Sequence, residues 1–163
     1  SQHIYENHLL VGYGIYKFGN PDYGSKFQSS DDLKKQFDFA GTKPKVKGSV
    51  LYSVKYLVEN KVGIMSVIKS VYKNLALLPY LGRIAAEKPN APTNVRVDGS
   101  TLSWSGVQDA YYAVYKNNGA DQIATLVGIT KDTTFRLTEK GIYFVTALNN
   151  KNAESNLSDS VTY

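Results

Sequence analysis

The sequence predicts an α/β segment of two consecutive strand-helix units, followed by a small all-β sandwich. Within residues 48–78, Val50, Leu51, Tyr52, Val54, Tyr56 and Leu57 form a near-continuous apolar block, the pattern of a strand buried on both faces of a parallel sheet. Ile64, Val67, Ile68, Val71, Tyr72 and Leu75 then recur at three- and four-residue steps, as in a helix with one covered face. Beyond Pro79 the texture changes to short alternating strands between Gly-, Asn- and Asp-rich turns.

In chain order, residues 8–18 read as an apolar, aromatic strand in which Gly12 and Gly14 allow close backbone approach. Val11-Gly12-Tyr13-Gly14 is like a potassium-channel filter, but the flanking membrane helices are missing; Gly12-x-Gly14 does not extend to a dinucleotide fingerprint, because Lys17 stands at the third glycine. Residues 19–30 are dense in turn formers and predict a loop. Ser30 or Asp31 would cap a helix from Asp32, with Leu33, Phe37 and Ala40 as its buried stripe and Gly41 at its end. Strand, loop, helix, strand, helix in this order makes the two strands parallel neighbours through a right-handed crossover. Pro79 would stop the second helix. The expected organisation is 1–86 for the α/β part, 87–92 for a proline-containing linker and 93–163 for the sandwich. Seven strands are expected there, at 93–97, 101–105, 111–116, 122–127, 133–137, 142–148 and 158–162. Alternation turns Leu102 and Trp104, Tyr112 and Val114, and Tyr143, Val145 and Ala147 into its core.

Composition narrows the chemistry. No run reaches the roughly 20 apolar residues of a membrane span, and no signal peptide is expected at Ser1. The absence of cysteine excludes disulfides, zinc-thiolate sites and a cysteine nucleophile. The net charge of +5 is uneven: residues 1–88 hold 13 Lys and Arg against 7 Asp and Glu, and residues 89–163 hold 6 against 7. The lysines are scattered without an aromatic-basic motif, so no nucleic-acid partner is expected. His3, Glu6 and His8 share no face of one element and read as a terminal segment rather than metal ligands. No metal or other cofactor is expected.

With Pro92, Val95 and Val97, then Leu102-Ser103-Trp104, Tyr112-Ala113-Val114-Tyr115-Lys116, the run from Gly141 through Tyr143 and Val145 to Ala147, and the closing run from Asn152 to Ser158, residues 91–163 resemble a bacterial extracellular fibronectin type III domain. The front part is similar to the end of the glycosyl-hydrolase-like family 10 barrel, on Val11-Gly12-Tyr13-Gly14-Ile15-Tyr16-Lys17, on residues 48–57, and on Asn60, Gly63 and residues 72–79. That resemblance implies the last two β/α units of a TIM-like barrel from a secreted or cell-envelope bacterial protein acting on glycan, with cell-wall polysaccharide as partner.

Barrel active sites lie where strands end and loops begin. The resemblance therefore points to Tyr16 and Lys17 after the first strand, and to Ser53, Lys55 and Tyr56 after the second, as substrate-binding residues. Glycoside cleavage uses two carboxylates. Glu6 precedes the first strand, Asp22 sits in the loop, and Asp31, Asp32 and Asp38 read as helix-cap and surface groups. No catalytic residue is assigned, and the chain alone is expected to be inactive. The alternative is a non-enzymatic carbohydrate- or protein-binding module with a self-sufficient α/β domain; a structural connector is the third reading. Two parallel strands leave an edge open, which predicts a covering partner or a homo-oligomer through that edge.

Overall fold

The structure is a computed structural model and describes residues 8–80, 86–120 and 122–163. It has two compact units, Ser1–Lys73 and Asn74–Tyr163. His3 and Glu6 lie outside the described residues.

In the front unit, β1 (Leu9–Tyr13) pairs in parallel with β2 (Val46–Leu51), with Val11 opposite Ser49 and Tyr13 opposite Leu51. The connection is α1 (Asp31–Gly41), whose Leu33, Phe37 and Ala40 are its buried residues, as the spacing predicts. They pack with Tyr13, Ile15 and Phe18 from the first strand and the turn after it, and with Ile64 and Val67 of α3 (Ile64–Val71). The Tyr13 and Phe37 rings stack at 4.4 Å. Asp32 and Asp38 pair on the surface with Lys35 and Lys34, as expected of helix-surface groups. Ser30 makes no side-chain cap bond; Ser29 Oγ instead accepts from the Asp31 N–H at 3.2 Å.

Both expected strands end early. The first stops at Tyr13, and Ile15–Lys17 form a tight 3-10 turn. The second stops at Leu51, and Val54, Tyr56 and Leu57 belong to α2 (Val54–Glu59) rather than to a strand. Once β1 has ended, β2 has no neighbour to pair with, and the backbone satisfies its polar groups by coiling. Tyr56 and Leu57 then turn to the helical core while Val54 and Val58 face outward. Asn60, left-handed at φ 46°, ends α2, and its Oδ1 accepts from the Met65 N–H at 2.9 Å. The helix expected through Leu75 ends at Val71, with Val71, Tyr72 and Leu75 exposed.

Burial on both faces of the sheet does not occur either. Val11, Tyr13, Val46 and Leu51 face the helices, whereas Leu10 (58% exposed) and Val50 (53%) lie on the other face with Gly12 and Gly48. Among the described residues the parallel sheet has two strands, so the barrel implied by resemblance has no support here beyond that pair.

The second unit is the expected sandwich. Strands β3 (Thr93–Asp98), β4 (Thr101–Ser105) and β7 (Thr134–Arg136) form one sheet; β6 (Thr125–Thr130), β5 (Tyr111–Asn117), β8 (Ile142–Leu148) and β9 (Val161–Thr162) form the other. This three-on-four order is that of the type III-like sandwich, and every core residue expected from alternation is buried in it. The Tyr143 hydroxyl donates to the Glu139 carbonyl at 2.6 Å, the corner bond characteristic of such sandwiches. Tyr112 Oη donates to the Val107 carbonyl and accepts from its N–H, pinning the turn before β5. The last strand is shorter than expected because two serines do part of its pairing. Ser155 Oγ and Ser158 Oγ accept from the Ala147 and Val145 N–H groups, each at 2.9 Å.

The four-stranded sheet has a second, smaller core of Ala113, Leu126 and Leu148, with Leu77 and Tyr115 packed on it. There the Tyr115 and Thr146 hydroxyls both donate to Glu154 Oε1 at 2.7 Å. Burial first, and then the bond to Glu154, holds the Tyr115 hydroxyl well above its ordinary pKa of 10.0.

Leu102→Ala should destabilise the chain by about 2–5 kcal/mol in urea denaturation, because Leu102 is fully buried between the sheets. A second expectation concerns alkaline pH. Below pH 10 Tyr115 is neutral in both states; above it the unfolded chain ionises first, so stability falls as pH rises through 10 toward the raised native value. Urea midpoints from neutral to alkaline pH should therefore decline less steeply in Tyr115→Phe than in the parent chain.

Candidate functional site

The front unit gathers aromatic side chains where its two strands end. The Tyr52 N–H donates to the Tyr13 carbonyl at 3.0 Å, the final bond holding the chains side by side. Past it, each chain turns away within a few residues. On one side Ile15 is fully buried and acts as a peg, leaving Tyr16 and Lys17 half-buried at the surface. On the other, Tyr52 is 67% exposed, the Tyr52–Ser53 peptide is cis, and extended Ser53 precedes the first turn of α2, which carries Lys55 and Tyr56.

Tyr16 is the hub. Its ring centre lies 6.1 Å from Tyr52, 6.1 Å from Tyr56 and 5.5 Å from Tyr23, edge-on to the first and last. Tyr23 in turn meets Phe27 at 6.4 Å, and Phe27 meets Phe18 at 5.1 Å. The Lys17 ammonium sits 5.9, 5.8 and 5.6 Å from the centres of Tyr16, Tyr23 and Phe27, within cation–π range of all three.

The loop supplying Tyr23 is internally tied. Asn20 Oδ1 accepts from the Asp22 N–H at 3.1 Å, Gln28 Nε2 donates to the Asn20 carbonyl at 2.9 Å, and the Gly19 N–H donates to the Phe27 carbonyl at 2.7 Å. Gly19 has φ +73°, and a Cβ there would lie 2.6 Å from Lys61 Cβ. Only glycine allows this loop to lie so close to the turn after α2.

Of the five residues expected to bind substrate, Tyr16, Lys17 and Tyr56 join one cluster. Lys55 borders it, with its ammonium 5.6 Å from the Tyr56 ring and 3.7 Å from Glu59 Oε1. Ser53 stands at the turn, and its hydroxyl makes no cap bond to α2. Sequence reasoning missed Tyr23 and Tyr52. Tyr52 falls within the strand that the sequence predicts; its position immediately past the last paired residue marks it out once the strand's end is known. Tyr23 lay among turn formers, where an aromatic residue without a strand or helix period was the available signal.

Chemically, the cluster offers apolar ring faces, phenol hydroxyls that donate and accept, and one ammonium. Of the five carboxylates among the described residues of this unit, Asp32, Asp38 and Glu59 are engaged by lysines, leaving Asp22 on the Tyr23 loop and Asp31 at the start of α1. Among the described residues no three His, Cys, Asp or Glu side chains could hold a metal ion, and no helix is long and apolar enough to cross a membrane. The sandwich has a groove of about 510 Å³ lined by Val127, Phe135, Leu137 and Tyr143 together with the Lys116–Glu139 ion pair.

No protein-family model matches the chain, and no curated protein matches it. Among solved structures, the type III domain of human fibronectin type III domain containing protein 3 is similar at 17% identity and TM-score 0.40, over 50% of this chain and 90% of that one. The FN3tt structure is similar at 23% identity and TM-score 0.36, over 47% of this chain and 96% of that one. Titin kinase with its flanking domains is similar at 22% identity and TM-score 0.37, over 46% of this chain and 16% of that one.

Gly19→Ala should cost about 1–3 kcal/mol in urea denaturation, since the new Cβ meets both the strained φ and the Lys61 stem. Gly12→Ala, with nothing within 4 Å of its added carbon, should stay within about 0.5 kcal/mol of the parent.

Proposed function

We propose that the front unit is a carbohydrate-binding platform and that the sandwich serves as its spacer or docking module. The observation that carries this reading is the convergence of Tyr16, Tyr23, Tyr52 and Tyr56 at the shared end of two parallel strands, with Tyr52 and Tyr23 exposed. Open parallel sheets bind ligands outside the carboxyl ends of their strands. Tyrosine suits sugars there: its ring covers the C–H face of a pyranose while its hydroxyl bonds to the sugar's.

A second reading is favoured by the uncovered sheet face of Leu10, Gly12, Gly48 and Val50. In it, β1 and β2 are the last units of a glycoside-hydrolase-like barrel in a secreted or envelope protein, this face points into the barrel, and the catalytic acids lie on earlier strands. The tyrosines then line the end of the barrel that holds substrate. The two readings differ in catalysis but agree on where glycan sits.

Calorimetric titration with a panel of neutral and acidic oligosaccharides tests the shared element. At least one should bind, and Tyr52→Ala should weaken it about tenfold while circular dichroism stays unchanged. Binding by none of the panel, or binding indifferent to Tyr52, contradicts the platform. Release of reducing ends by the purified chain would contradict both readings, since each leaves this chain without catalytic acids.

A further inference from the structure

The charge at the platform narrows its ligand. Residues 8–73 carry 11 lysines against 5 carboxylates, so the unit holds a positive field. Three of those carboxylates are in ion pairs: Asp38 with Lys34, Asp32 with Lys35, and Glu59 with Lys55 and Lys61. Lys17 is in none among the described residues. Its ammonium is steadied instead by the faces of Tyr16, Tyr23 and Phe27.

Ring faces hold a cation in place without neutralising it. Lys17 therefore differs from Lys55, which shares the cluster but has Glu59 beside it. The result is one oriented ammonium without an ion-pair partner among the described residues, 5.8 Å from the centre of the exposed Tyr23 ring. A neutral sugar stacked there would leave that charge unanswered. A sugar bearing an anionic substituent would meet it.

Resting on the platform reading above, we infer that the glycan recognised is anionic, carrying a carboxylate or sulfate that pairs with Lys17. Tyr16 acts as a positioning residue for both groups, because its ring packs against the Lys17 ammonium and against the Tyr52 ring. Part of the preference is electrostatic at a surface and so is weakened by salt.

The test is calorimetric titration of the full chain with a galacturonate hexamer, its fully methyl-esterified neutral form and a sulfated heparin hexasaccharide. At low salt at least one acidic oligosaccharide should bind about five- to tenfold more tightly than the neutral ester, and high salt should shrink the ratio. The uronate and sulfate arms report which anion is preferred. Lys17→Met should bring the ratio close to one, Lys17→Arg should restore it, and Lys69→Met, on the exposed side of α3, should leave it as in the parent. Equal affinity for ester and acids overturns the inference while leaving a platform for neutral sugars; a preference that survives Lys17→Met overturns the pairing with Lys17 while leaving the platform. Binding of none of the three overturns it together with the platform.

Discussion

Parallel pairing of β1 and β2 is the constraint from which the front unit follows. Antiparallel partners would send residues beyond Tyr13 and beyond Leu51 to opposite ends of a sheet roughly 17 Å long. Parallel partners finish together, so two segments 36 positions apart in sequence deliver Tyr16 and Tyr52 to one place. The crossover helix α1 makes that arrangement affordable, since its stripe of Leu33, Phe37 and Ala40 covers the same sheet face from which Tyr13 projects. Local pattern, packing and the location of the tyrosines are consequences of one choice of strand direction.

Around that frame the platform combines buried anchors with exposed rings. Ile15 and Phe18 are buried on either side of Tyr16 and Lys17, so the turn is held from beneath while its polar ends stay at the surface. The loop bearing Tyr23 is fastened by bonds from Gln28 and Gly19. An aromatic surface held in this way loses little conformational freedom when it meets a ligand, which is where preorganised sites gain affinity. The sandwich follows a different logic: period-two alternation fills one core, tyrosine hydroxyls close its corners, and serine hydroxyls replace part of its last strand.

How much of this could be read from sequence differs between the units for a physical reason. In the sandwich each strand has one core face, so alternation in Leu102-x-Trp104 or Tyr143-x-Val145-x-Ala147 names the buried residues directly. In the front unit, the stripe of α1 was equally legible. The run from Val50 to Leu57 was not, because β-branched and aromatic residues suit both the end of a strand and a short helix leaning on a core. What ended β2 was the end of its partner β1, a tertiary fact. The expectation of parallel barrel-like units set Tyr16, Lys17 and Tyr56 at the strand ends, where the structure gathers their side chains, while Tyr52 depended on a strand boundary that only the fold supplies and Tyr23 on the packing of its loop.

The most direct test of the central claim is proton NMR of the chain, reading contacts across the sheet and among the tyrosine rings. Parallel pairing with converging ends predicts cross-strand contacts in the register of Val11 with Ser49 and Tyr13 with Leu51, together with ring-to-ring contacts from Tyr16 to both Tyr52 and Tyr56. Close Hα–Hα contacts between the two strands, which belong to antiparallel pairing, or a Tyr16 ring with no contact to Tyr52, would contradict it.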